Sequence, residues 1–207
     1  MSRDILLATN NKGKLERYTK LIESTGLDIT LHTPESLGID VGEILETGTT
    51  LLENALLKAK AYQGKVDMPI LANDTGFYVE GEGFVVAPKR TALQGDDEVA
   101  LSEEEVSKRL LTFWQNIATK HGGKVDAAWP EVFVLLDTEG TVSTVESRRE
   151  VILTNTIFGT PHLQMPVRAL YISKSTGKPA VLHTKEEEII EMKPIIDALE
   201  SLLVQVL

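Results

Sequence analysis

A short polar loop near the N-terminus combines residue types that bind phosphate. Asn10-Asn11-Lys12-Gly13-Lys14 follows an apolar run and precedes apolar positions with helical spacing, so it connects a strand to a helix. Unpaired backbone N–H groups, the helix dipole and a lysine ammonium group attract phosphate at a helix N-terminus. The loop therefore predicts a phosphate site with Asn11 and Lys14 as its contacts.

Spacing alone leaves another interpretation of this loop open. A strand, a turn containing Asn and Gly, and a helix are also typical of an ordinary turn. The loop is not a Walker loop, because G-x-x-x-x-G-K-[ST] is absent and Leu15 follows Lys14.

The elements around the loop follow from hydrophobic period and capping residues. Residues 4–9 and 69–72 are apolar runs of strand length, and the second of them ends in Asn73-Asp74-Thr75-Gly76. Thr50 and Glu53 have the spacing of a capping box, so a helix begins near Thr50. Polar groups therefore lie at the C-terminal end of a predicted strand.

The second half of the chain adds helices and strands without regular alternation. Ser102 with Glu105, and Thr184 with Glu187, form further capping boxes, and Pro194 should kink or restart the last helix. Residues 132–136 and 142–153 are predicted strands joined by a hairpin turn, whereas residues 82–97 lack a sustained period and predict a surface loop. The order of elements indicates an α/β fold with a mixed sheet.

Composition excludes several classes of protein. The chain has 207 residues, 42% of them hydrophobic, which is enough for one domain over residues 1–207. Thirty-one acidic residues against 21 basic ones give a net charge of -10, which opposes binding to nucleic acid. Cysteine is absent, so thiolate zinc sites and cysteine nucleophiles are excluded. No segment approaches the roughly 20 apolar residues of a membrane span, so we expect a cytoplasmic protein without a membrane partner.

Three ordered motifs resemble the Ham1/inosine triphosphate pyrophosphatase family. Residues 8–14, A-T-N-N-K-G-K, are similar to the family's A-T-G-N-x-G-K opening. Residues 46–59, E-T-G-T-T-L-L-E-N-A-L-L-K-A, are similar to its E-T-G-x-T-x-x-E-N-A-x-x-K-A block, and residues 72–76 resemble A-D-D-S-G. Three such motifs in order are far more specific than any one of them.

The resemblance implies an elongated α/β fold with a central mixed sheet, flanking helices and two lobes around a nucleotide cleft, usually in a homodimer. The family hydrolyses inosine, xanthosine and related triphosphates to a monophosphate and pyrophosphate. Carried over by motif position, Glu46 and Asp74 hold Mg²⁺ and Asp74 is the metal ligand or general base. The substrate-binding residues implied in the same way are Thr9, Asn11, Lys14, Lys58 and Thr75.

The chemistry of these residue types agrees with the implied roles. Mg²⁺ usually takes one or two carboxylates and completes its shell with water and phosphate oxygens. Each residue also has a simpler interpretation: Glu53 as a helix cap, Lys58 as part of a solvated helix face, and Asp74 as an Asx-turn residue.

The sequence departs from the family pattern, mostly in its second half. Asn10 replaces the usual Gly, and Asn73 replaces an acid, which removes a negative charge beside the expected metal. The family's S-A-R-Y, F-G-Y-D-P and S-H-R elements, which the resemblance associates with base recognition, are missing. In the F-G-Y-D-P region, Arg168 falls near the family's acid and is predicted to contact the base.

Three functional hypotheses follow. The first is a Mg²⁺-dependent pyrophosphatase acting on deaminated purine nucleoside triphosphates. The second is a regulatory protein that binds nucleotides with weak or no turnover. The third is a Maf-like pyrophosphatase for modified pyrimidine triphosphates. Two retained carboxylates favour an enzyme, because a site that only binds an anion does not need them.

Overall fold

The computed structural model describes residues 3–94 and 100–206. By its internal contacts the chain divides into two compact units. The first comprises Met1–Thr75, Pro130–Arg148 and Met192–Leu207, and the second comprises Gly76–Trp129 and Arg149–Glu191.

Eight strands and five α-helices make up the regular structure of the described residues. The strands are β1 (Arg3–Leu7), β2 (Ile29–His32), β3 (Ile70–Thr75), β4 (Tyr78–Val79), β5 (Gly83–Phe84), β6 (Lys124–Leu136), β7 (Val142–Thr154) and β8 (Tyr171–Ser173). The helices are α1 (Lys12–Glu23), α2 (Leu51–Tyr62), α3 (Pro88–Leu93), α4 (Glu103–Lys120) and α5 (Lys185–Leu203). Short 3-10 helices cover Glu35–Leu37, Pro166–Leu170, Ala180–Leu182 and Val204–Val206.

The sheet of the first unit is mixed, as the sequence predicts. β1 lies between β2 and β3 and runs parallel to both, and β3 pairs antiparallel with β6. Helices flank this sheet, so the predicted α/β class with a mixed sheet is confirmed.

Alternate residues of β1, β3 and β6 enter two different cores, because successive side chains of a strand point to opposite faces. One core is formed with α1 and α5 and takes from the strands Ile5, Leu7, Leu71, Phe133 and Leu135. The other is formed with α2 and takes Leu6, Ala8, Ile70, Ala72, Val134 and Leu136. The sheet is therefore buried on both faces.

In the first unit α2 begins where its capping residues predict, and α1 begins at a cap that the sequence analysis did not predict. The side chain of Thr50 accepts a hydrogen bond from the Glu53 backbone, and Glu53 reciprocates, which completes the predicted capping box. Asn11 caps α1 by accepting a hydrogen bond from Lys14 N at 3.1 Å.

The second unit has an aromatic core. Phe77 packs against Trp114 and Trp129 with ring centroids 4.9 and 4.4 Å apart. Beside it, the buried Glu191 accepts hydrogen bonds from Arg149 Nη1 at 3.1 Å and from Tyr171 OH at 3.0 Å. Burial, reinforced by Glu191, raises the pKa of Tyr171 to about 12, so its hydroxyl stays a donor. No helix in the described residues is long and apolar enough to cross a membrane.

The structure corrects three local predictions. β6 begins at Lys124 rather than at residue 132, and the predicted loop at residues 82–97 contains β5 and α3, although its residues 95–97 lie outside the described ranges. Pro194 lies inside α5, which runs without a break to Leu203.

Candidate phosphate and metal site

The polar segments predicted from sequence meet at one edge of the sheet in the first unit. β1 and β3 are parallel neighbours, so their C-terminal ends lie side by side. The loop after β1 leads into the N-terminus of α1, and β3 ends in Asn73, Asp74 and Thr75. Backbone N–H groups of a helix N-terminus are thus placed beside carboxylate and amide side chains.

A pocket of 270 Å³ lies at this edge. Five of the residues predicted to bind substrate or metal line it: Thr9, Asn11, Lys14, Glu46 and Lys58. It is lined further by Ala8, Asn10, Gly42, Ile44, Tyr62 and Asn73. This volume is close to the lower end of the roughly 300–1,000 Å³ typical of ligand pockets, so the pocket can take a group of the size of a phosphate chain.

Lys58 links the two predicted metal ligands. Its Nζ lies 2.8 Å from Asp74 Oδ1 and 3.1 Å from Glu46 Oε2, and it also contacts Asn73 O at 3.4 Å. The Lys58 side chain is only 13% exposed, so it is not part of a solvated helix face. Asp74 pairs with Val132 as a strand residue, which removes the Asx-turn interpretation.

Lys14 contacts the side chain of Asn73, whereas Lys58 contacts its backbone oxygen. The Nζ atom of Lys14 donates to Asn73 Oδ1 at 3.3 Å. Burial, and secondly the charge of Lys58, lower the pKa of Lys14 below that of an ordinary lysine. Two ammonium groups close enough to repel each other form an environment that an anionic ligand would stabilise.

The carboxylates present are compatible with Mg²⁺, which takes only part of its coordination shell from the protein. Glu46 is about half exposed and Asp74 is 14% exposed, so both carboxylates are accessible to a ligand. Within the described residues no group of three or more His, Cys, Asp or Glu side chains forms a metal cluster. Two carboxylates nevertheless match the one or two that Mg²⁺ usually takes from a protein when phosphate oxygens complete its shell.

Sequence reasoning missed Glu131 and Arg17. Glu131 is fully buried and lies opposite Thr75 in the β3–β6 ladder. It accepts hydrogen bonds from Asn73 Nδ2 at 3.1 Å and from Arg17 Nη2 at 3.0 Å. An acid next to the apolar run of residues 132–136 was a signal, but only the pairing of β3 with β6 shows where it lies.

Three of the predicted site residues do not line the pocket: Asp74, Thr75 and Arg168. Thr75 ends β3, and its Oγ1 accepts a hydrogen bond from Asn73 Nδ2 at 3.2 Å. Arg168 belongs to the second unit, where its Nη2 donates to Ala180 O at 3.0 Å and to Glu188 Oε1 at 3.2 Å.

Part of the sequence is similar to a known protein family. Residues 5–83 match the sequence model of the Ham1 family. A dITP/XTP pyrophosphatase of Yersinia pseudotuberculosis is 34% identical over 119 residues, which cover 58% of this chain and 57% of that protein. The chain thus aligns with a little over half the length of the curated relatives that it matches.

Solved structures extend the similarity over the whole fold. A HAM1 protein from Coxiella burnetii superposes with a TM-score of 0.74 at 18% identity, covering 99% of this chain and 100% of that one. The Ham1 protein of Staphylococcus aureus gives 0.70 at 20% identity, covering 98% and 99%. Residues 5–83 are thus similar in sequence to the Ham1 family, and the fold as a whole is similar to that of solved Ham1 proteins.

Proposed function

We propose that the protein is a Mg²⁺-dependent nucleoside triphosphate pyrophosphohydrolase, which converts a triphosphate and water to a monophosphate and pyrophosphate. One observation carries the proposal: Lys14, Lys58 and Glu46 line one pocket at a helix N-terminus, and Lys58 also pairs with the carboxylate of Asp74. The names of the aligned relatives, dITP/XTP pyrophosphatases, support the reaction type. From the resemblance we also propose a cytoplasmic homodimer.

In this proposal the first unit holds the phosphate chain. Lys14 and Lys58 supply fixed positive charge, and the N-terminus of α1 with Asn11 and Thr9 supplies hydrogen-bond donors. The Oδ1 atom of Asn11 already accepts the cap hydrogen bond from Lys14 N, so its Nδ2 is the atom left to donate to phosphate. Asn11 is then both a helix cap and a ligand contact.

Glu46 and Asp74 are the residues that would hold Mg²⁺, and the ion when bound would neutralise developing charge on the phosphates. Asp74 orients the attacking water and accepts its proton as the oxygen bonds to phosphorus and pyrophosphate leaves. Lys58 holds both carboxylates in the structure described here. It is close enough to turn instead to the phosphate chain when substrate enters.

The contacts of Lys58 with Glu46 and Asp74 also favour a second function, the binding of a nucleotide without turnover. If Lys58 stays between Glu46 and Asp74, the carboxylates remain neutralised and the pocket binds nucleotide without turnover. The assay that separates the two functions screens purified protein with Mg²⁺ against natural, deaminated and modified pyrimidine triphosphates, so that a Maf-like preference is also detected.

We predict that every triphosphate turned over yields pyrophosphate and a monophosphate in equal amounts. The basis is the match of Asn11, Lys14, Glu46 and Asp74 to the family's phosphate and metal positions. Pyrophosphate and orthophosphate are measured separately, with chromatography of the nucleotide product. Stoichiometric orthophosphate with a diphosphate product would show that the protein is a different hydrolase.

Asp74→Asn is expected to lower kcat by about a hundredfold or more, because it removes the charge that positions the metal or accepts the proton while keeping the side chain's shape. The matched control is Asp137→Asn. Asp137 accepts hydrogen bonds from Glu139 N and Thr141 N in a turn, and its replacement should leave kcat unchanged. Near-normal turnover by folded Asp74→Asn would remove Asp74 from the mechanism.

Gly48→Ala should weaken the response to Mg²⁺, because Gly48 fixes the segment that carries Glu46. Its N–H donates to Asn54 Oδ1 at 2.8 Å, and an added Cβ would lie 2.6 Å from both that oxygen and Glu53 Cβ. The segment must therefore move, and we expect the Mg²⁺ concentration for half-maximal activity to rise about tenfold. Gly64→Ala is the control, since it strains a positive φ where no heavy atom lies within 4 Å of the new Cβ. It should lower stability without changing the Mg²⁺ requirement.

Arg168→Ala is predicted to change the ratio of kcat/KM values between bases by about 10- to 100-fold, because a guanidinium donates to acceptor atoms that a carboxylate cannot bind. Its observed ion pair partner Glu188 is 52% exposed, and such pairs are worth only about 0.2–1 kcal/mol, so a base can replace this partner at little cost. Lys178→Ala, which removes another ion pair of the same unit, is the control. A uniform change across the panel would mean that Arg168 only supports the fold.

A further inference from the structure

Glu131 is a charged group buried directly beneath the pocket. Its side chain is 0% exposed, and its Oε2 pairs with Arg17 Nη2 at 3.0 Å. Tyr18 OH and Asn73 Nδ2 both donate to its Oε1. Burying a carboxylate costs free energy unless both of its oxygens are paired. Both oxygens of Glu131 have hydrogen-bond partners.

Asn73 connects this carboxylate to the lysine that lines the pocket. Its Nδ2 donates to Glu131 and to Thr75 Oγ1, while its Oδ1 accepts from Lys14 Nζ. A carboxylate only accepts hydrogen bonds and an ammonium group only donates them. The amide of Asn73 therefore has one permitted orientation, and Glu131 selects it.

An acid at position 73 would conflict with Glu131. Its oxygen would replace Nδ2, which lies 3.1 Å from Glu131 Oε1, and two carboxylates at that distance cannot both stay ionised without a large cost. Asn73 and Glu131 are thus chemically matched. The carboxylate of Glu131 on β6 accepts a hydrogen bond from the neutral amide of Asn73 on β3, and the amide oxygen accepts one from Lys14.

We propose that Glu131 is a positioning residue for phosphate binding, acting through Asn73 to hold the ammonium group of Lys14 at the pocket. The inference rests on the proposed function in so far as Lys14 binds the phosphate chain. Electrostatics support it: burial and Lys58 lower the pKa of Lys14, and Glu131 is the strongest of the groups that oppose this lowering.

The test is an exchange cycle of Glu131→Gln, Asn73→Asp and the double variant, with the Kd of inorganic pyrophosphate measured by calorimetry. Each single variant should bind about tenfold or more weakly, because Glu131→Gln no longer selects the amide orientation and Asn73→Asp sets two carboxylates against each other. In the double variant the amide of residue 131 donates to the carboxylate of residue 73, whose other oxygen accepts from Lys14. Binding should return to within about threefold of wild type.

Steady-state kinetics add a second measurement. We expect the KM for a nucleoside triphosphate to follow the pyrophosphate Kd through the cycle, while kcat changes less. If Glu131 had only a structural role, its replacement would lower the amount of active protein, and KM would not rise more than kcat falls. Asn73→Ala supplies another check, because Glu131→Gln should have little further effect once the connecting amide is gone.

The matched control is Glu191→Gln in the second unit. Glu191 is also buried, at 1% exposure, and is also bonded to an arginine and a tyrosine. Its replacement should lower thermal stability while leaving both the pyrophosphate Kd and the effect of Asn73→Asp unchanged. A comparable loss of binding would show that losing any buried carboxylate has this effect, and would overturn the inference.

Additive losses in the double variant would also overturn it, as would wild-type protein that binds neither pyrophosphate nor tripolyphosphate. Calorimetry needs no turnover, so the two proposals fail separately. Coupled pyrophosphate binding without triphosphate hydrolysis would contradict the proposed function and retain the role of Glu131. Hydrolysis of the triphosphate without coupled pyrophosphate binding would support the proposed function and contradict the role of Glu131.

Discussion

The arrangement of the site depends on the two-residue period of β3. Leu71 points to the α1 and α5 side of the sheet and Ala72 to the α2 side, so the next residues, Asn73 and Asp74, must follow the same alternation. Asn73 accordingly meets Lys14 of α1, and Asp74 meets Lys58 of α2. A shift of one residue in register would exchange the two partners and place Asp74 against Glu131. Packing of the apolar strand residues thereby fixes the electrostatics of the pocket.

Charge balance differs between the two faces. On the α2 side one lysine contacts two carboxylates that ligands can reach, so this group can be rearranged by a metal or phosphate. On the α1 side the fully buried Glu131 is held by Arg17, Tyr18 and Asn73, and loss of one partner would leave an uncompensated charge. The α1 side is therefore the fixed part of the site and the α2 side the adaptable part. Burial and Glu131 also raise the pKa of Tyr18 well above normal, which keeps its hydroxyl a donor.

Local signals in the sequence predicted the elements well, and non-local contacts explain what it missed. The capping boxes at Thr50 and Thr184 correspond to observed caps, because a cap involves only neighbouring residues. The first part of β6 was missed because Ala127, Ala128 and Pro130 are poor strand formers, and pairing with β4 overrides that preference. The side chain of Asn73 contacts Glu131 on the face of β3 opposite to Asp74, and no spacing in the sequence indicates this contact.

Sequence similarity to relatives is uneven along the chain, because the family model matches residues 5–83. The segment matched to the family model, residues 5–83, contains the pocket residues, whose charges and hydrogen bonds tolerate few replacements. The fold as a whole persists at 18% identity, since a core such as that of Phe77, Trp114 and Trp129 requires volume and apolarity rather than particular residues. Glu131 lies outside the matched segment yet is bonded to Asn73 inside it, so the departure at position 73 is intelligible only together with a residue that the motif does not include. Arg168, which we propose as a contact of the base, likewise lies outside the matched segment. Base preference must therefore be inferred from this chain's own contacts and not from the names of its relatives.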